Sequence, residues 1–163
     1  MAQLYRDQYE HWLNTATTTG ATANPTYKRE GTGVESLSVA FNPQKDTYKT
    51  ILDRTSQTTF NNYQLSSSIS GKRCYSEDEI YDYLDGLRKG ATAGETQLVE
   101  INTAKTVSAG VYEAVQYNVL ITINEWLGEN ATISYDIDYS KPVQGTATIG
   151  GTTGISFTPT TSL

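Results

Sequence analysis

The sequence contains few of the residues on which catalysis, metal binding and disulfide scaffolds depend. Its 163 residues include one cysteine, Cys74, and one histidine, His11. A single cysteine excludes an intramolecular disulfide and any metal site built from several thiolates. A catalytic centre needs a nucleophile with a base and an orienting group, or a metal ion, and the sequence has no local grouping of this kind. We therefore expect no enzymatic activity, no catalytic or metal-binding residues and no cofactor.

Long apolar runs and clusters of basic residues are also missing. No stretch approaches the roughly 20 apolar residues that a membrane-spanning helix needs. The first residues, MAQLYRDQYEHWLN, have no apolar core of the kind found in secretory signals. Eighteen acidic residues against twelve basic ones leave a formal charge of −6. Because nucleic-acid binding relies on clustered Lys and Arg, we expect neither membrane insertion nor specific binding of nucleic acid.

The residues that are abundant favour β-structure. The chain has 25 threonines, 13 serines and 12 tyrosines, and branched or aromatic side chains suit the pleated, half-buried surface of a strand. Apolar and polar residues alternate over residues 34–41, 57–70, 96–102, 112–126 and 131–139, with shorter signals at 143–149 and 155–158. Such alternation is typical of strands with one buried face. The sequence predicts a mainly β protein of one domain.

One helix is predicted over residues 76–89. Ser76 and Glu79 form the S-x-x-E pattern of a capping box at its start, and Gly90 follows its end. Its apolar residues recur at helical spacing and form one narrow stripe: Ile80, Tyr83, Leu84 and Leu87. We expect this stripe to cover one face of a sheet.

The two ends of the chain and one internal segment show little periodicity. In residues 1–33, Tyr5, Tyr9 and Trp12 stand at helical spacing and predict a short amphipathic turn. The Thr/Gly-rich remainder favours an extended arm, and a disordered terminus stays open as the alternative. Residues 140–163 form a second Gly/Thr-rich end with two short strand signals. Residues 42–59 form a long loop, and loops of this length are usually functional or disordered. The charged residues of this loop are Lys45, Asp46, Lys49, Asp53 and Arg54.

The polar faces of the predicted strands carry no lysine or arginine. Residues 106–140 contain no basic residue at all, although they include several carboxylates. Two interpretations stay open: an ordinary solvent-facing sheet, or a surface that repels phosphate because it is neutral-polar and acidic. The polar-face residues are Ser36, Ser38, Gln64, Ser66, Ser68, Gln116, Asn118, Thr122, Asn124, Thr132, Ser134, Asp136 and Asp138.

The order of these elements resembles that of the tail tube, or major tail, proteins of long-tailed bacteriophages. The resemblance covers residues 33–139 and rests on the capped helix SEDEIYDYLDGLRKGATAG, followed by the long hairpin VYEAVQYNVLITINEWLGENATISYDIDYS. Proteins of this family have a sandwich of two β-sheets with one flanking helix. They form hexameric rings in which the inner sheets close into a barrel, and stacked rings make the tube through which the genome passes. The resemblance implies no catalytic residue.

The resemblance also implies a role for each group of residues. The polar-face residues would line the lumen, with Asp136 and Asp138 contributing most to its negative potential. The charged loop residues would contact the next ring, and Tyr5, Tyr9 and Trp12 would contact neighbouring subunits. The implied partners are further copies of the chain, the tape-measure protein, the tail terminator and the distal tail or baseplate hub protein. DNA would pass without specific binding, in a virion assembled in the host cytoplasm.

Two other classes of protein fit the same residues. The first is the tube subunit of a contractile injection or secretion system, or another β-sandwich of a virion, because the architecture is shared. The second is a surface adhesin or carbohydrate-binding β-sandwich, which would account for the many tyrosine and tryptophan residues. A concave aromatic patch would favour the second class.

Overall fold

The computed structural model describes residues 3–16, 24–128, 130–151 and 154–160. These residues form a mainly β structure with one short α-helix, as the sequence predicts. In chain order the elements are η1 (Arg6–Gln8), β1 (Tyr9–Asn14), β2 (Tyr27–Glu30), β3 (Pro43–Tyr48), β4 (Gln57–Tyr63), β5 (Ser66–Arg73), α1 (Glu79–Gly90), β6 (Gly94–Ser108), β7 (Val111–Glu125), β8 (Thr132–Ile149) and β9 (Ile155–Pro159). No helix in this described part is long and apolar enough to cross a membrane.

Seven of these strands form one curled antiparallel sheet. Their order is β2-β1-β6-β7-β8-β5, and β9 also pairs with β8. β8 is long enough to pair with two strands besides β7, since its first half pairs with β5 and its second half with β9. Lys141 lies between the two halves and takes a left-handed φ of 49°. β3 and β4 form a separate two-stranded hairpin, which we call the β3–β4 hairpin.

The two faces of the sheet bury different sets of apolar side chains. Leu98 of β6 belongs to a first core, which packs α1 against the sheet. Val99 and Ile101 belong to a second core, which gathers side chains from β2, β6, β7, β8 and β9. Because successive side chains of a strand point to opposite faces, this division confirms the alternation predicted for residues 96–102.

The alternation predicted for residues 131–139 is also confirmed. Ile133, Tyr135 and Ile137 of β8 are almost completely buried in the first core. Asp136 and Asp138 lie at the intervening positions and remain accessible. The first half of β8 therefore has one apolar and one polar face.

Helix α1 confirms the predicted apolar stripe but begins three residues later than expected. The N-cap is Asp78, whose Oδ1 accepts a hydrogen bond from the Ile80 amide at 3.0 Å. The predicted capping box of Ser76 and Glu79 is therefore wrong, since Asp is as good an N-cap as Ser and stands closer to the apolar stripe. The helix ends where Ala91 takes a left-handed φ of 48°. Its buried residues are Ile80, Tyr83, Leu84 and Leu87.

The N-terminal region belongs to the sheet and is not a separate arm in its described part. β1 pairs with β6, and β2 pairs with β1. The helical turn expected for Tyr5, Tyr9 and Trp12 is wrong, because only residues 6–8 form a 3₁₀ turn and the last two side chains lie on β1. Strand β1 sends Trp12 to the second core and Leu13 to the first. Residues 1–2 and 17–23 of the predicted arm lie outside the described residues.

The segment before α1 departs from the predicted strands. Residues 34–41 contain no strand, only a single bridge between Ala40 and Ser66. The Ser67 hydroxyl of β5 donates a hydrogen bond to the Ser38 carbonyl at 2.6 Å. In a regular strand ladder, a backbone amide would donate this hydrogen bond instead. Residues 57–70 are divided into β4 and β5. The loop predicted over residues 42–59 is largely the β3–β4 hairpin.

A buried ion cluster joins β2, β5 and the start of α1. Lys72 Nζ lies 3.0 Å from Glu30 Oε1 and 2.8 Å from Asp78 Oδ2, and it donates to the carbonyl of Thr32 at 2.5 Å. The lysine is fully buried and both carboxylates are buried as well. Burial raises the pKa of the Glu30 carboxyl above its ordinary value, although the charge of Lys72 opposes this shift. One ammonium group is thus shared by two carboxylates inside the fold.

Candidate functional site: a polar sheet face and a projecting hairpin

Four neighbouring strands present polar side chains on the side of the sheet opposite the first core. The pairing places Asp136 of β8 between Ser68 of β5 and Thr122 of β7. Asp138 lies next along β8, between Ser66 and Leu120. The register continues into β6, where Glu95 pairs with Leu120. We call this surface the polar face; it consists of Ser66, Ser68, Glu95, Gln97, Asn118, Leu120, Thr122, Asn124, Thr132, Ser134, Asp136 and Asp138.

Asp136 is held by side chains from both neighbouring strands. The hydroxyl of Ser68 donates to its Oδ1, and the amide of Asn124 donates to its Oδ2 at 2.7 Å. These two hydrogen bonds hold the pKa of the Asp136 carboxyl below its ordinary value, because donors stabilise the charged form. The centre of the polar face therefore carries a carboxylate that stays ionised.

The remaining charges of the polar face are also negative. Asp138 and Glu95 are exposed, and neither forms an ion pair with a described basic residue. Among the described residues, basic side chains stand at two ends of this surface. Arg73 ends β5 and is paired with Glu35 at 3.3 Å, and Lys141 lines the same cavity of about 370 Å³ as Glu95 and Asp138.

The structure brings together most, but not all, of the residues predicted to share this surface. Nine of the thirteen lie on the polar face, as its register shows. Ser36 and Ser38 are exposed but belong to the irregular segment 34–41, and Gln64 lies between β4 and β5. Gln116 points to the second core, where its Nε2 donates to the Tyr27 hydroxyl at 2.9 Å. Glu95 and Gln97 were missed because β6 contributes only its first residues to this surface.

The β3–β4 hairpin projects from the body of the protein. β3 and β4 pack on each other and make only marginal contact with the other elements. Lys45 and Asp46 lie on β3, whereas Lys49, Asp53 and Arg54 lie in the connection between the strands. Among the described residues, none of the three cations forms an ion pair.

Aromatic and aliphatic side chains on this hairpin are open to solvent. Phe60 and Tyr63 lie with ring centroids 4.7 Å apart, and Phe41 meets Tyr63 edge-on at 5.4 Å. All three rings are about half exposed, and Ile51 and Leu52 at the tip are almost completely exposed. Sequence reasoning missed this cluster because it treated the segment as a polar loop and did not foresee the bulge that groups the rings.

The three aromatic residues assigned to the N-terminal arm have different surroundings. Tyr5 is largely exposed. The Tyr9 hydroxyl accepts a hydrogen bond from Asn102 at 3.2 Å, and the Trp12 indole donates to Glu10 at 2.8 Å. Tyr9 and Trp12 thus contact their own chain, whereas the ring of Tyr5 is exposed to solvent.

The described residues contain no group of three or more His, Cys, Asp and Glu side chains arranged to hold a metal ion. His11 Nε2 lies 3.2 Å from the Glu100 carboxylate. Burial raises the pKa of the Cys74 thiol, which disfavours the nucleophilic thiolate.

Comparison with known proteins returns no matching family model and no matching curated protein. The geometry of the polar face and of the β3–β4 hairpin therefore carries the functional argument alone.

Proposed function

We propose that this chain is the subunit of a hollow protein tube, the tail tube of a long-tailed bacteriophage. In this proposal, hexameric rings stack into a passive conduit for the genome, and the polar face lines the bore. The observation that carries the proposal is the polar face itself: a four-stranded surface with an ionised Asp136 at its centre and Asp138 and Glu95 exposed beside it.

The dimensions of such a ring suit the passage of a duplex. Four strands from each of six subunits make a barrel of 24 strands. With strands about 4.8 Å apart and tilted by about 40°, its circumference is roughly 150 Å and its backbone diameter about 48 Å. Inward side chains narrow this opening but leave it wider than duplex DNA. Closing the barrel also removes free sheet edges, which otherwise invite aggregation.

The charges of the polar face suit a bore that does not hold its cargo. Asp136, Asp138 and Glu95 contribute three carboxylates per subunit, so a six-membered ring carries eighteen. Phosphate binding needs lysine or arginine, and each such contact adds affinity that depends on salt. Apart from Lys141 at its end, this neutral-polar surface with carboxylates gives DNA no such contact among its described residues. The DNA duplex therefore passes through the bore without binding to its wall.

The β3–β4 hairpin supplies a contact between rings in this proposal. An isolated two-stranded hairpin is at best marginally stable in water, and this one exposes aromatic rings and an aliphatic tip. Residues 42–64 carry a net charge of +1 in a chain of net charge −6. An acidic surface on a neighbouring copy is thus a favourable partner for it. In the described part of the N-terminal region, the largely exposed Tyr5 remains available for a further subunit contact.

Assembly can be tested directly with the purified chain. Negative-stain electron microscopy over a concentration series should show rings or tubes. A variant lacking residues 45–56 should fold, with the circular dichroism of a β protein, but form rings that do not stack. A strictly monomeric chain under all conditions would contradict the proposal. Normal tubes from the deletion variant would refute the role of the hairpin alone.

The role of the polar face requires a charge reversal with a matched control. Asp138→Lys adds a cation to the polar face without removing a described side-chain contact. Asp82→Lys makes the same charge change on the exposed side of α1. We expect assembled tubes of Asp138→Lys to retain DNA in a co-sedimentation assay at low salt and to release it as salt rises.

The control tubes and wild-type tubes should retain little DNA. Equal retention by both variants would place the polar face outside the bore. Loss of assembly in Asp138→Lys alone would place Asp138 between subunits. Glycan-dependent stabilisation of a monomer, with no assembly, would instead favour a carbohydrate-binding protein.

A further inference from the structure

The β3–β4 hairpin is joined to the body at one narrow point. Its two connections to the sheet pass through Asn42 and Gln64, which face each other. Beyond this point none of the other described elements makes more than marginal contact with β3 or β4. The direction in which the hairpin projects must therefore be set where these two residues meet.

Asn42 has a backbone conformation that few residues adopt. Its φ is 41°, in the left-handed region that asparagine tolerates better than other residues with a side chain. Here the chain turns from the irregular segment 34–41 into β3. A residue that avoids this region would shift the backbone and turn β3 relative to β5.

The side chain and the carbonyl of Asn42 bridge the base of the hairpin to β5. Its Nδ2 donates to the carbonyl of Gln64 and to the hydroxyl of Ser66, both at 2.9 Å. Its carbonyl accepts from the Gln64 amide at 3.3 Å and from the Gln44 side chain at 3.1 Å. Among the described residues, a second side-chain contact across this base is the edge-on pair of Phe41 and Tyr63, which lacks the directionality of hydrogen bonds.

Residues 33–43 face residues 63–73 in one antiparallel register, although the pairing along it is interrupted. The facing pairs Gly33 and Arg73, Ala40 and Ser66, Asn42 and Gln64, and Pro43 and Tyr63 have residue numbers with the same sum. The register shifts only further out, between Gln44 and Lys45. Asn42 therefore combines a left-handed φ of 41° with an unshifted register, so it turns the chain without changing which residues face each other.

We propose that Asn42 is the positioning residue of the β3–β4 hairpin, fixing the angle at which the hairpin leaves the sheet. Strand residues advance about 3.3 Å each, so residue 49, near the tip, lies about 23 Å from Asn42. A change of about 20° at Asn42 displaces that tip by roughly 8 Å. If the chain assembles as proposed above, such a displacement takes the tip away from its partner surface.

The angle can be measured in the isolated chain with two spin labels. Cysteines replace Lys49, near the tip, and Ser70, on β5, in a Cys74→Ser background; both label sites are exposed. Pulsed electron resonance then gives the distribution of distances between them. Asn42→Ala removes the side-chain bonds and the left-handed preference. Asn42→Gly keeps access to positive φ but removes the bonds, and Asn62→Ala on β4 serves as the matched control.

We expect one narrow distance distribution for the parent and for Asn62→Ala. Both Asn42 variants should shift the mean by several ångströms or broaden the distribution, while their thermal midpoints stay near that of the parent. An unchanged narrow distribution in Asn42→Gly would assign the angle to the backbone alone. An unchanged distribution in both variants would assign it to another contact. Either result overturns the proposal.

Assembly of the same variants provides a second readout. In electron micrographs, Asn42→Ala should form rings but few stacked tubes, whereas Asn62→Ala should behave as the wild type. Should the wild-type chain form no tubes at all, the tube function fails. The label distances still decide the role of Asn42, because they are measured on the monomer.

Discussion

Replacing Lys72 tests whether the buried ion cluster holds the N-terminal strands and α1 to the sheet. Lys72→Met keeps a side chain of similar length but removes the only ammonium group shared by Glu30 and Asp78. Both carboxylates are buried, so neither regains full hydration when the lysine is lost. The variant thus leaves two like charges facing each other inside the protein.

The expected loss of stability is large. Removing one partner of a buried ion pair costs about 3–5 kcal/mol, because the remaining charge is left uncompensated. In a domain of this size each kcal/mol lowers the melting temperature by about 2–4 °C, so the midpoint should fall by roughly 6–20 °C. Combining Lys72→Met with Glu30→Gln and Asp78→Asn removes every charge. This triple variant should recover most of the loss, since well-packed neutral groups often replace a buried ion cluster without cost and Asn still caps α1.

Urea unfolding followed by circular dichroism measures these differences. Lys105→Met is the matched control, because Lys105 forms an exposed ion pair with Glu113 at 3.2 Å. Exposed pairs contribute at most about 1 kcal/mol, so this variant should remain close to the wild type. If Lys72→Met unfolds at the same urea concentration as Lys105→Met, the cluster does not stabilise the fold and the reasoning fails.

The Glu30 carboxyl and two glycines provide further tests by urea unfolding. Because burial raises the folded-state pKa of Glu30, its contribution to stability is lost as pH rises through that raised value; the free energy of unfolding of the wild type minus that of Glu30→Gln should fall as pH rises above the ordinary Glu pKa of about 4.3, and a flat difference would contradict this. Gly86→Ala, with open space around its Cβ on α1, should raise the free energy of unfolding by about 1 kcal/mol. Gly145→Ala, whose Cβ would meet the Thr158 carbonyl and the Phe157 ring, should lower the free energy of unfolding by about 1–3 kcal/mol. Changes of the same sign in both glycine variants would refute this steric reasoning.

The elements that sequence reasoning located correctly are those whose pattern is complete within a few residues. β8 shows its alternation between residues 132 and 139 and buries Ile133, Tyr135 and Ile137 as expected. The stripe of α1 is equally local, because a helix brings residues three and four apart onto one face. The position of the N-cap was misjudged since Ser76 and Asp78 both satisfy the local rule.

The candidate site was located in part, and the misplaced residues have a common cause. Asp136 and its neighbours on β5 and β7 share a face because each lies on a strand with the expected period. Gln116 has the same period, but the second core covers its end of β7. No local pattern in residues 34–41 predicts that the Ser67 hydroxyl donates to the Ser38 carbonyl in place of a backbone ladder.

The sequence by itself determined the mainly β class, the apolar stripe of α1 and the lack of cations on the polar faces of the predicted strands, because these depend only on composition and on periods of two and 3.6 residues. Tertiary structure alone decided that the N-terminal residues pair with β6, that Lys72 is buried between two carboxylates, and that the left-handed Asn42 donates hydrogen bonds to Gln64 and Ser66. These features join residues distant in the chain, and no local period records which distant residue will be the partner.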